Sequence, residues 1–240
     1  LEFAGEVFET GEAVTRFKKG DRVFGITAGG AQAGFLVSDQ SLLVRIPDGL
    51  SFTEAAAIPE AFITAHDAVF TQGNLAAGET LLIHAVGSGV GLAALQLAKA
   101  RGIKVYGTSR TASKLDECRE FGLDEGIVAA GDEDFAAILK ERNGGRGADV
   151  ILDLVGATYV PRNLDALNLK GRLILVVLTA GAKTEFNLGT ALAKRLTIKG
   201  TVLRSRPTEE KAAATRAFEE EVVPLFANGR LKPNIDRVFP

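Results

Sequence analysis

From residue 79 onward, short apolar runs alternate with longer amphipathic stretches. The runs at 80–85, 104–108, 126–129, 150–155, 172–178 and 196–202 predict strands. The stretches between them, at 90–101, 112–121, 134–141, 159–167 and 188–195, predict helices. Near-continuous apolar strands joined by crossover helices imply a parallel sheet covered on both faces. With right-handed crossovers this is an α/β fold, a doubly wound Rossmann sheet. A long helix at 208–228, disturbed at Pro224, is expected to follow.

The first fifty residues have a different texture, with short strands punctuated by turns. Lys18-Lys19-Gly20-Asp21-Arg22-Val23-Phe24-Gly25 reads as a turn feeding a strand. Further strands are expected at 1–8, 35–37 and 43–47, and again at 237–239. Ser51-Phe52-Thr53-Glu54 opens a helical segment that runs to Phe70 with a break at Pro59. The expected division is a partial β-rich domain at 1–55, rejoined by 230–240, and a dinucleotide-binding domain with its connecting helix at 56–229.

Composition narrows the class. The chain is 46% hydrophobic and 24% charged, as ordinary globular domains are. A net charge of -2, with both signs interspersed, leaves no nucleic-acid footprint. The single cysteine, Cys118, excludes an internal disulfide and fits a reducing, cytoplasmic setting. The chain holds no Met and opens within a strand pattern, so a piece of a longer polypeptide is expected.

The chemistry centres on Leu82-Ile83-His84-Ala85-Val86-Gly87-Ser88-Gly89-Val90-Gly91-Leu92. A strand runs into small residues and then into a helix. Small residues let the backbone approach a pyrophosphate, and the helix N-terminus supplies free N–H groups and the positive end of its dipole. Ala85, Gly87, Ser88, Gly89, Val90 and Gly91 are therefore candidate cofactor-binding residues. The next strand ends in Ser109-Arg110, with Lys114 following. NAD-specific sites carry an acidic residue there for the ribose 2′-OH. Basic groups instead suit a 2′-phosphate, and NADPH is the expected cofactor.

Several motifs occur in a set order: His84-Ala85-Val86-Gly87-Ser88-Gly89-Val90-Gly91, Gly20-Asp21-Arg22-Val23, Ala55-Ala56-Ala57-Ile58-Pro59 with Thr64-Ala65, and Leu203-Arg204-Ser205-Arg206. Together they resemble the medium-chain dehydrogenase/reductase superfamily. Within it the chain is similar to the zinc-independent quinone oxidoreductases, near the tumour-suppressor-inducible branch. The resemblance implies a GroES-like domain for the β-rich part, with more of it before Leu1. It places Thr64, Leu203 and Arg204 near the nicotinamide. It also places Val155, Gly156, Val177, Leu178 and Thr179 along the cofactor groove. Zinc is not expected. Leu1 stands where zinc-dependent relatives carry a histidine ligand, and 24–35 lacks the cysteines of their structural zinc lobe. Where that branch has a tyrosine near the adenosine phosphate, this sequence has Ala129.

The implied activity is hydride transfer from NADPH to a quinone or similar electron-poor acceptor, with solvent as proton source and no identified catalytic side chain. A homodimer pairing through 173–178 and 196–202 is implied as well. Membranes and nucleic acids are not expected as partners. The alternatives are an enoyl-thioester reductase of the same superfamily, a methyltransferase using S-adenosylmethionine, and a non-enzymatic nucleotide- or RNA-binding relative. Neither histidine reads as catalytic: His84 ends a buried strand as a structural residue, and His66 is a surface or packing residue on the connecting helix. Cys118 is expected to lie away from the groove.

Overall fold

The structure, a computed structural model, describes residues 1–131 and 133–239. The chain divides into two compact units, Ala65–Thr201 and Leu1–Thr64 with the segment from Val202 onward.

The second of these opens with β1 (Glu2–Glu6), β2 (Arg22–Ile26) and β3 (Leu43–Arg45), an antiparallel sheet in that order. Ala4 lies opposite Phe24, and Phe24 opposite Val44. Phe17, Val23 and Leu43 form its small core, with Phe3, Val7 and Val14 packed against them. Helices α1 (Phe52–Ala56) and α2 (Pro59–His66) follow, and α2 continues into a π-helical turn at Asp67–Gln72. A capping box starts α1. Ser51 Oγ accepts from the Glu54 amide, and the Glu54 carboxylate accepts from the Ser51 amide at 2.8 Å. The Glu2 carboxylate accepts from the Glu60 amide at the start of α2.

The larger unit holds β4 (Thr80–Ile83), α3 (Gly89–Ala100), β5 (Lys104–Ser109), α4 (Ala112–Arg119), β6 (Glu125–Val128), α5 (Phe135–Arg142), β7 (Ala148–Asp153), α6 (Val160–Ala166), β8 (Leu167–Leu175), α7 (Leu188–Lys194) and β9 (Thr197–Gly200). Its strands form one sheet in the order β6-β5-β4-β7-β8-β9, every neighbouring pair parallel. Leu81, Leu82, Ile83, Val150, Ile151 and Leu152 are wholly buried at its centre. This is the doubly wound sheet that the apolar runs predict.

Two helices, α8 (Thr208–Glu221) and α9 (Val223–Ala227), complete the smaller unit. Phe218 packs edge-on against Phe24 with ring centroids 5.9 Å apart, and Phe226 against Phe62 at 4.8 Å. These contacts explain why the units divide at Thr64 and Val202 instead of at 55/56 and 229/230 as the sequence texture indicates. The helix predicted at 208–228 is broken at Val222, with Pro224 in the first turn of the second piece.

Three expected strand readings change. Residues 35–37 are not a strand; Phe35 and Val37 are exposed and find no sheet partner. Residues 237–239 are not a strand either, and Pro240 lies outside the described residues. The strand expected at 172–178 instead spans Leu167–Leu175. Its ladder to β7 shifts between the Ala148–Leu167 and Val150–Arg172 pairs. A bulge containing Lys170 at φ +62° accommodates the extra residues.

Candidate functional site

Strands β4 and β7 are neighbours, yet the chain leaves them in opposite directions, toward β5 and β6 on one side and β8 and β9 on the other. The crevice beyond the C-terminal ends of β4 and β7 is therefore the sheet's topological switch point.

The turn leaving β4 is sharply bent. Ala85 adopts φ +49°, a left-handed conformation that a non-glycine residue occupies at some cost. Ser88 caps α3, its Oγ accepting from the Gly91 amide at 3.2 Å. The first-turn amides of Gly89 and Val90 have no intrahelical carbonyl to bond. Space is open at Gly89, where an added Cβ would meet nothing within 4 Å. At Gly91 a Cβ would lie 2.6 Å from the Val86 carbonyl oxygen and 2.7 Å from that of Ala85. Gly91 lets the helix start close against the turn, and Gly89 leaves its mouth clear.

Ser109 ends β5, and Arg110 follows as an exposed side chain. Lys114 stands in the first turn of α4. Its Cδ would lie 3.5 Å from a Cβ built on Gly87, so the Lys114 stem runs beside the glycine turn. Cys118 corrects the expectation that it is remote from this region. It is buried beneath the turn, its Sγ 3.7 Å from the same built atom, and burial pushes its thiol pKa up. An unreactive, enclosed thiol follows.

On the other side of the switch point, β7 ends in Asp153, which is wholly buried. Its Oδ1 accepts from the amides of Val155 and Gly156 at 2.7 and 2.9 Å. Gly156 adopts φ +91°, and a Cβ there would collide with the Gly181 carbonyl oxygen and Leu178. Thr179 Oγ1 donates to the Leu154 carbonyl, and the Ala180 amide to that of Val155. Val155, Gly156, Leu178 and Thr179 are thus stitched into one loop cluster. Val177 and Leu178 have left the sheet and are partly exposed.

His84, wholly buried, sits between these two sides. Its Nδ1 lies 2.9 Å from Thr108 Oγ1 and its Nε2 2.6 Å from Asn163 Oδ1. Asn163 Nδ2 donates to Asp153 Oδ2 at 2.9 Å. Burial pushes the His84 pKa down, against the opposing pull of Asp153 and Asn163. The imidazole edge-stacks on Tyr159 and Phe135, each at 4.8 Å. Tyr159 Oη donates to the Ala129 carbonyl, and burial raises its pKa.

The remaining predicted residues, Thr64, Leu203 and Arg204, belong to the smaller unit. Thr64 Oγ1 is buried without a hydrogen-bond partner. Leu203 and Arg204 line a cavity of about 170 Å³ in that unit with Ile26, Leu42, Glu60 and Lys211. Burial raises the Glu60 pKa, while Arg204 and Lys211 draw it back. Sequence reading missed Asp153, Asn163 and Tyr159. The available signal was an acidic residue closing an otherwise apolar strand.

Comparison with known proteins places these features in context. The family model described as zinc-binding dehydrogenase matches residues 89–220. The erythronolide synthase of Saccharopolyspora erythraea is 39% identical over 212 residues, covering 85% of this chain and 6% of that protein. The chain thus spans a small part of that relative. The structure of Escherichia coli quinone oxidoreductase complexed with NADPH superposes with a TM-score of 0.85 at 31% identity, covering 98% of this chain and 72% of that one. The CurK enoyl reductase also gives 0.85, at 28% identity over 100% of this chain and 70% of its own.

Proposed function

Because the chain belongs to the zinc-binding dehydrogenase family, within the medium-chain dehydrogenase/reductase superfamily, we propose that it works as an NADPH-dependent, zinc-independent reductase of quinones or similar electron-poor acceptors. The observation that carries this reading is the Ser88-capped N-terminus of α3 at the switch point, flanked by Arg110 and Lys114 and free of an acidic residue at the end of β5.

The groups present fit that cofactor. The amides of Gly89 and Val90 would take the pyrophosphate with the dipole of α3 behind them. Ser109, Arg110 and Lys114 would take the 2′-phosphate. Val155, Gly156, Leu178 and Thr179 would border the path toward the nicotinamide, with Val177 at its rim. Thr64 brings an unpaired buried hydroxyl, and Leu203 and Arg204 are assigned to the nicotinamide end by the family resemblance. Once bound, the cofactor supplies the hydride, and the protein's task is orientation and exclusion of water. The zinc of the family's description does not fit: among the described residues no three His, Cys, Asp or Glu side chains gather as ligands. No step is assigned to it. A quinone accepts hydride into a delocalised oxyanion, and solvent provides the proton.

Each charge-assisted bond to the 2′-phosphate contributes roughly 1.5–3 kcal/mol. Replacing both Arg110 and Lys114 by Ala removes two such bonds and is therefore expected to lower the NADPH-over-NADH preference by about a hundredfold or more. An unchanged preference would overturn the assignment. The second reading is an enoyl-thioester reductase, favoured by the equal TM-score of the CurK enoyl reductase. Steady-state rates with a benzoquinone and with a crotonyl thioester separate the two. A higher kcat/KM for the quinone is the expected result. A homodimer completes the proposal.

A further inference from the structure

The hydrogen bonds beneath the switch point have a determined direction. A carboxylate that accepts from Val155, Gly156 and Asn163 donates nothing. The amide of Asn163 must then turn its Nδ2 toward Asp153 and its Oδ1 toward His84. Only an Nε2–H can meet that oxygen at 2.6 Å, so the neutral imidazole presents Nδ1 as acceptor and Thr108 donates its hydroxyl hydrogen. The chain runs Thr108 to His84 to Asn163 to Asp153 and ends on the two backbone amides of the second turn. Its members come from β5, the residue after β4, α6 and the last residue of β7.

This chain reaches both sides of the crevice. His84 adjoins Ala85, the strained residue that opens the glycine turn, and its own backbone amide bonds the Leu152 carbonyl on β7. Asp153 shapes the turn at Val155 and Gly156. His84, Asn163 and Asp153 are fully buried and distant in sequence. A core built for stability alone would fill this space with apolar side chains, since a buried polar chain is costly unless every member is satisfied.

We infer that Asp153, acting through Asn163 and His84, is a positioning residue that holds the glycine turn and the Val155–Gly156 turn in register for a cofactor spanning both. The inference rests on the cofactor reading above. A ligand that touches only the adenosine side needs only the glycine turn and the β5 end. Full-length NADPH needs both turns at their correct separation.

Calorimetric titration of the full chain with NADPH and with 2′,5′-ADP tests this. Asn163→Leu, close to isosteric, cuts the chain at its middle and leaves each turn its local bonds. It is expected to weaken NADPH about tenfold while 2′,5′-ADP binding stays within about twofold. Equal weakening of both ligands would mark a merely structural role and overturn the inference, as would no effect on either. Wild-type protein that binds neither ligand would overturn the cofactor reading itself. Asp153→Asn guards against loss of fold. It preserves the shape but reverses the chain, because the new amide must donate to Asn163. His84 is then expected to switch to the Nδ1–H tautomer, read by ¹⁵N NMR, with NADPH affinity held within about threefold. Retention of the Nε2–H form in that variant would refute the assigned direction.

Discussion

At the scale of single residues, the site depends on one position with no room and one with no charge. A methyl group on Gly91 would press into the carbonyl oxygens of Val86 and Ala85, both backbone atoms that cannot swing aside. Gly91→Ala is expected to cost about 1–3 kcal/mol, read as a lowered urea midpoint, and to weaken cofactor binding further. His84 is held neutral by burial, so its folded pKa lies below the unfolded value of about 6.5. The unfolded chain then binds the extra proton, and the stability this contributes is complete above about pH 6.5 and lost as pH falls below it. Urea titrations at about pH 7.5 and 5.5 should show that loss in the wild type and a smaller one in His84→Gln, whose amide does not titrate in this range. The glycine turn was legible because its spacing alone dictates strand, turn and helix. The role of Asp153 was not, because Asn163, which ties its local turn to His84, meets it only after α6 has folded back.

At the scale of elements, periodicity predicted the strands of the larger sheet and most of its helices. It failed where an apolar triplet had nothing to pair with, as at Phe35-Leu36-Val37, since hydrophobicity does not reveal whether a neighbouring strand exists. It also missed the long entry of β8, which depends on how the strand is held. Arg172 on β8 bonds both carboxylate oxygens of Glu79, at 2.9 and 2.6 Å, and the carbonyls of Gly73 and Asn74. The same guanidinium draws the Glu79 pKa below the usual carboxylate value. The Arg172 side chain is only 20% exposed, so solvent screens the cluster little. Arg172→Met should cost about 2 kcal/mol, measured as a lower Tm. Arg172→Lys should recover only part of it, because an ammonium cannot span both carboxylate oxygens and both carbonyls.

At the scale of the whole molecule, the sheet's free edge sets the argument. The sequence reading offers both 173–178 and 196–202 as pairing segments, but β8 already has neighbours on each side, and of the two segments it is β9 that lies at an edge of the sheet. Every residue of β9 is exposed, Ile198 at 38%, and Leu188 and Leu192 of α7 are exposed as well. A bare parallel-sheet edge with apolar side chains invites association unless it is covered. A second copy brought antiparallel across a two-fold axis would satisfy the unpaired backbone groups of both edges at once, the same strand serving on each copy. Wild-type protein is therefore expected to sediment as a dimer at micromolar concentration. Ile198→Lys would set like charges against each other across the axis and shift it to monomer. Its secondary structure should not change, because Ile198 contributes little to the core. A wild type that sediments as a monomer would rule out this pairing.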